Sequence, residues 1–288
     1  MGEPTTGAQK SGLDALLPAE IADKAEKIGE QKVRVDAATL LMLGVLAGAF
    51  IAFGALFSTT VLAGAAGAMP YGVSRLLAGL VFSLGLILVI DGGAELFTGN
   101  TLMIMALAAR RVSLSEMLRA WAIVLVGNFV GAAGTAALVY LSGQSMNGGG
   151  AVAAVALKIA ADKTALDFSP AFFLGVLCNV LVCLAVWMAI GARSTTDKIL
   201  SVVFPISAFV AAGFEHSVAN MYFIPLGLML KAGGLQSLST IALPDMTHLT
   251  WTAFFISLVP VTLGNIVGGS VLVGGVYWFI YLRPRPKS

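Results

Sequence analysis

The chain has 288 residues, 58% of them hydrophobic and 11% charged, with a formal net charge of +2 and a mean hydropathy of +0.92. So much apolar surface cannot be hidden inside one soluble globule of this size, which leaves a polytopic membrane protein. A charge balance this close to neutral points to no nucleic-acid partner.

Residues 1–36 read as a cytoplasmic segment. Leu13, Leu16, Leu17, Ile21, Ala25 and Ile28 share one helical face, the charged residues from Asp14 to Lys27 lie largely elsewhere, and Pro18 suits a first turn. The pattern predicts a short amphipathic helix packed on the membrane face of its own protein, with a gate or a partner site as the alternative role. The first apolar run of membrane length begins only at Ala37, so no cleavable signal peptide is expected.

Residues 37–282 read as a single all-α transmembrane domain, followed by a short cytoplasmic tail, 283–288. Six stretches suffice to cross a bilayer core, which takes about 20 apolar residues each. They run from Ala37 to Leu62, Gly72 to Ala109, Met117 to Leu141, Pro170 to Gly191, Ile199 to Leu230 and Trp251 to Leu282. The second and fifth are overlong, and each carries the same interruption: Gly93, Glu95 and Asn100 in GAELFTGN, then Gly213, Glu215 and Asn220 in GFEHSVAN. One span after each, Gly127-Asn128-Phe129-Val130-Gly131 is echoed by Gly264-Asn265-Ile266-Val267-Gly268. The chain therefore reads as two related halves, about 37–141 and 170–282, with polar interruptions at matching depths, the pattern of a transport site.

Basic residues orient it. A cytoplasmic amino terminus places thirteen Lys and Arg inside and only Arg75, Lys158, Lys163 and Lys231 outside. Both termini are then cytoplasmic, and three spans per half make the repeats inverted.

Chemistry concentrates at the interruptions. A half-helix amino terminus exposes unpaired N–H groups and partial positive charge, which suit an anion. Glu95 and Glu215 read as carboxylates capping those N–H donors. His216 is different: an ionisable ring at membrane depth whose ordinary pKa lies near neutrality, able to give a small anion a proton or a hydrogen bond. Thr98, at a nearly corresponding place in the other half, adds a hydroxyl. Phe82, Phe97 and Phe209 are candidates for dry constrictions around this polar centre. His248, Cys178 and Cys183 read as incidental or as packing, the glycines of the GN-x-V-G strings as helix-packing residues, and no set of residues has metal-ligand spacing. No phosphate-cradling glycine loop is present either, so no cofactor is expected.

GAELFTGN after its Leu-Gly-Leu-Ile-Leu run, LCNVLVCLAVWMA from Leu177, GFEHSVANMYFIP from Gly213 and VTLGNIVGG from Val261 together resemble the formate/nitrite transporter family, over Leu13 to Leu282. The resemblance implies an aquaporin-like fold, a pore through each protomer and a homopentamer in a bacterial or archaeal inner membrane. It matches His216 to the pore histidine and Thr98 to the loop threonine. Leu86, Leu96, Phe97 and Val182 match a cytoplasmic constriction, Phe82 and Phe209 a periplasmic one, and Asn179 and the outer-loop Lys163 polar positions near the centre. Asp91 departs from the pattern and is either a selectivity element or simply paired.

The expected activity is passage of formate, or a similar small monovalent anion such as nitrite, either accompanied by a proton or as passive anion conduction past a neutral His216, with membrane lipid as surroundings. In this reading Lys163 and the half-helix termini draw the anion in, while His216, oriented by Asn179 or Thr98, supplies or relays the proton. Hydrosulfide, acetate or lactate transport, and a membrane ligand sensor, are the alternatives; enzymatic use of Glu215 and His216 lacks a nucleophile or metal set.

Overall fold

The computed structural model describes residues 14–233 and 243–284. Lys10, Leu13, Arg285 and Lys287, used above for orientation or for the amphipathic face, lie outside them. Among the described residues six helices are long and apolar enough to cross a membrane, and all regular structure is helical.

α1 (Pro18–Val33) starts at the proline, whose missing N–H costs nothing in a first turn. It buries Ile21, Ala22 and Ala25 against Met105 and Trp187. Lys24 Nζ donates to the Ile190 carbonyl at 2.9 Å and the Leu16 N–H to Gly191 at 3.2 Å, fastening it to the end of the fourth span, while Arg111, in the connection before the third span, pairs with Glu26 at 2.9 Å. α1 is thus packed on its own protein, with a correction to the face: Leu16 and Leu17 precede the helix, and Leu17 is exposed.

α2 (Ala37–Leu62) begins at Asp36, which accepts from the N–H groups of Ala38 and Thr39 at 3.1 and 3.0 Å. Hydrogen bonds from Thr39, side chain and backbone, hold the Asp36 carboxyl below its usual range. α3 (Tyr71–Asp91) returns across the membrane and stops at Gly92 and Gly93, the latter at φ 71°. Helix resumes as α4 (Phe97–Asn100), tightens into a 3₁₀ turn (Thr101–Met103) and ends as α5 (Ile104–Ala108). α6 (Leu114–Leu141) closes the first half.

The second half repeats the plan upside down. α8 (Phe168–Gly191) is its first span, and α9 (Thr195–Ala212) stops at Gly213, φ 76°. α10 (Ser217–Ala232) resumes unbroken. The last span runs from Trp251 to Leu282, as α11 (Trp251–Ile266) continued by a π-helical stretch, Val267–Gly275, and a final turn. The second and fifth spans are thus broken where the sequence pattern puts the breaks.

The GN strings bring helices into contact, as expected. A Cβ on Gly131 would stand 1.9 Å from the Val45 carbonyl oxygen, and one on Gly268 2.2 Å from that of Val176, so the first and third spans of each half pack backbone to backbone. Two features were not anticipated. The connection after α6 holds a helix, α7 (Ala151–Thr164), and the last span widens into π-helix. That widening leaves the Asn265 carbonyl free to accept Asn179 Nδ2 at 2.6 Å and lets Ser270 Oγ reach the Thr101 carbonyl at 3.1 Å. α1 and α7 occupy equivalent places: Lys32 and Asp36 precede α2 as Lys163 and Asp167 precede α8. The duplicated unit is therefore a short helix plus three spans.

Candidate functional site: two helix breaks and the vestibules beside them

Each break is held by an asparagine one span further on. Asn128 Oδ1 accepts the Phe97 N–H at 2.9 Å, while its Nδ2 donates to the carbonyls of Gly44 and Glu95 at 2.8 and 2.9 Å. Asn265 Oδ1 accepts the Ser217 N–H at 2.9 Å, and its Nδ2 donates to Gly175 and Glu215 at 2.8 and 3.0 Å. Both asparagines are wholly buried. They satisfy the donors and carbonyls that unwinding releases in a place without water.

This corrects the role expected for the two glutamates. Glu95 and Glu215 do not cap the half-helix N–H groups. Glu95 accepts from Asn100 Nδ2 at 2.7 Å and pairs with Lys32 at 2.9 Å; Glu215 accepts from Asn220 Nδ2 at 2.7 Å and pairs with Lys163 at 2.7 Å. An amide carbonyl is the better cap at membrane depth because it brings no charge to be desolvated, whereas a carboxylate needs a cation beside it. In the sequence Asn128 and Asn265 are legible only as part of the GN echo, whose glycines read as packing residues.

His216 caps α10. Its Nδ1 accepts the Ala219 N–H at 3.1 Å, and its Nε2 lies 3.0 Å from Thr98 Oγ1. A backbone N–H can only donate, so Nδ1 carries the lone pair and the ring proton sits on Nε2, pointing at Thr98. The His216 and Thr98 side chains, both buried, thus join the two half-helix starts across the centre of the protein. Asn179 does not touch the imidazole. It braces Thr98 from behind, donating to the Thr98 carbonyl at 3.2 Å and to Thr101 Oγ1 at 3.1 Å.

On the face opposite α1 a cavity of about 270 Å³ leads down to this pair, lined by Arg75, Asp162, Lys163, Phe82, Phe209 and His216 among others. Phe82 and Phe209 meet edge to face, centroids 5.5 Å apart, and Phe209 lies stacked against the His216 ring at 6.0 Å. Lys163 stands on α7 rather than in a loop, the second correction. On the α1 face a cavity of about 30 Å³ is lined by Lys32, Asn100, Gly99, Ile28, Met103 and Ile190 among others. Between the two, Leu86, Leu96, Phe97 and Val182 are buried and line neither, with Phe97 edge-on to Trp121 at 5.8 Å.

Sequence reading missed Lys32, Arg75 and Trp121. Arg75 donates through its guanidinium to the carbonyls of Val210 and Ala211 at the end of α9, and Trp121 Nε1 donates to the Asn100 carbonyl at 3.0 Å. Asp91 is paired, 3.4 Å from Lys198. Cys178 and Cys183 are free and buried, and no cluster of metal-binding side chains occurs among the described residues.

Inverted halves, broken second and fifth spans and a buried polar pair beneath an open vestibule define a membrane channel or transporter of aquaporin-like plan. Residues 19–279 match the family model described as formate/nitrite transporter. The chain is 41% identical over 275 residues to the formate channel FocA of Escherichia coli strain K12, covering 94% of this chain and 96% of that one. It is 37% identical to the formate channel BtFdhC of Bacillus thuringiensis, covering 92% and 96%. A solved structure described as a pentameric formate channel with formate bound superposes with a TM-score of 0.80 at 43% identity, covering 86% of this chain and 98% of the other. The chain belongs to the formate/nitrite transporter family.

Proposed function

We propose that the chain assembles as a homopentamer in the inner membrane, both termini cytoplasmic, and passes formate, or a similar small monovalent anion such as nitrite, through a path in each protomer. The observation that carries this reading is the 3.0 Å contact between His216 and Thr98, buried at the meeting point of the two half-helices, at a vestibule that His216, Phe82 and Phe209 line together. Formate and the pentamer come from the similar proteins, whose names state them.

A carboxylate stripped of water in so dry a passage pays far more than one hydrogen bond returns, so the substrate crosses as the neutral acid, with a proton in company. His216 Nε2–H and the Thr98 hydroxyl orient it. Giving up the Nε2 proton leaves an imidazolate unless Nδ1 is protonated in the same step, and the Ala219 N–H occupies Nδ1. In this arrangement His216 is a hydrogen-bond donor; acting as a proton relay requires the Ala219 contact to open. Leu86, Leu96, Phe97 and Val182 form the barrier toward the α1 face. Uptake of radiolabelled formate by proteoliposomes at pH 5.5 and 7.5 tests the reading: uptake faster at the lower pH is expected, and no uptake above empty liposomes at either pH refutes it.

A further inference from the structure

Four ionised side chains line the large vestibule: Arg75, Asp162, Lys163 and Glu215. Three are already neutralised. Lys163 Nζ lies 2.7 Å from Glu215 Oε1, a pair whose side chains are only 14% and 6% exposed, and Asp162 lies 2.9 Å from Lys158 on the exposed face of α7. A close pair acts at a distance as a dipole, and its field fades faster than that of a lone charge.

Arg75 is the exception. Among the described residues no carboxylate lies within ion-pair distance of it; its guanidinium instead donates to the Val210 and Ala211 carbonyls, with the Ala211 contact at 3.4 Å. A helix end carries about half a negative charge, so a net positive charge remains, along with N–H donors of the fork that those carbonyls leave unused. The side chain is half-buried and lines the cavity above Phe209.

The opposite face sets this in relief. There the equivalent clamp between the same two helices joins Lys198, at the start of α9, to Asp91, at the end of α3, and that cation is cancelled. Lys32, lining the small cavity, is cancelled by Glu95.

We propose that Arg75 supplies the net positive charge of the large vestibule, and that it, rather than the ion-paired Lys163, concentrates the anionic substrate at that mouth. The proposal rests on the transport reading above and adds an anion-recruiting residue to it. Recruitment by a charge outside the dry passage changes how much substrate is present, not how fast it crosses. It is also weakened by salt, which screens exposed charges over about 10 Å at 0.1 M but over about 30 Å at 0.01 M.

The test is formate entry into right-side-out and inverted membrane vesicles at about 10 mM and about 500 mM salt. For entry from the Arg75 face at low salt, Arg75→Gln is expected to raise the half-saturating formate concentration about two- to five-fold with the maximal rate retained. The shift should vanish at high salt and be absent for entry from the α1 face. Arg75→Lys should behave as wild type. Asp162→Asn touches neither α9 nor Phe209 and frees the charge of Lys158, so it should shift half-saturation the other way; should Arg75→Gln fail to assemble, a wild-type half-saturation from the Arg75 face that salt does not change overturns the proposal. Unchanged half-saturation in an assembled Arg75→Gln overturns the proposal. So does a loss of maximal rate in Arg75→Gln that salt does not alter while Asp162→Asn is silent, because Arg75 is then only a helix clamp. A wild type that moves no formate removes the transport reading itself, a distinct result.

Discussion

The break in the second span and the break in the fifth use the same parts, a glycine at positive φ, a glutamate, two asparagines and a lysine, but they are closed differently. At the first, Lys32 Nζ reaches both Glu95 and Asn100 Oδ1, at 2.9 and 2.7 Å, completing a ring of three side chains under α1. At the second, Lys163 pairs with Glu215 and lies over the Phe223 ring, 5.6 Å from its centroid, and Asn220 Oδ1 is left without a partner. The cavity beside the first holds about 30 Å³ and that beside the second about 270 Å³. Duplication thus conserves what a broken helix needs at membrane depth, while the covering helix decides how open each mouth is. α1 is tied down by three polar contacts, of Lys24, Arg111 and Lys32, whereas α7 is joined to its break by the Lys163–Glu215 pair.

The largest expected effect probes the shared part. Asn128→Leu and Asn265→Leu each leave one buried N–H and one carbonyl of the unwound segment unpartnered, at about 1–3 kcal/mol apiece, since the Gly44 and Gly175 carbonyls keep their helical bonds. Each variant should lose several kcal/mol and fail to give an intact oligomer by size exclusion in mild detergent. If one of the two assembles normally, the breaks are not equivalent in construction.

His216→Asn tests the part the halves do not share, since the place in GAELFTGN that corresponds to His216 holds Leu96. An amide can still cap α10 and donate to Thr98 but does not titrate near neutrality. Formate flux should persist at a reduced level, with its pH dependence kept if the substrate takes its proton from water in the vestibule. Loss of pH dependence with flux retained would instead place the relay on the histidine, with the Ala219 contact opening in each cycle.

The smallest effect concerns the paired aspartates ahead of the first span of each half. Asp36 accepts two backbone N–H groups, whereas Asp167 makes no side-chain cap bond. Asp36→Ala should therefore lower the melting temperature measurably, and Asp167→Ala should not. Because Thr39 and the backbone depress the Asp36 pKa, its contribution is present above the unfolded-state value near 4 and is lost as pH falls through the folded-state value. Melting at pH 7 and at pH 3 should show a smaller Asp36→Ala deficit at the second than at the first.

Hydropathy, the repeated Gly-x-Glu-x-x-x-x-Asn string and its GN echo carried the six spans, the two breaks and the inverted halves, because membrane burial and a need for unwound backbone both leave marks in local composition. His216 and Thr98 were legible for the same reason: a polar side chain in an apolar run is conspicuous. The partners were not. That Asn128 and Asn265 cap the breaks, that Glu95 and Glu215 meet Lys32 and Lys163, and that Arg75 stands alone over the vestibule all depend on which distant groups the folded helices bring within hydrogen-bonding reach. A hydrogen bond is decided over about 3 Å, and the spacing of residues along the chain says nothing at that scale about contacts between helices. The π-helical stretch and the docking of α1 belong to the same class, since each follows from contacts with other helices rather than from the preference of its own segment. Sequence alone determined where this chain must leave regular helix in the membrane; only the tertiary structure decided what satisfies it there.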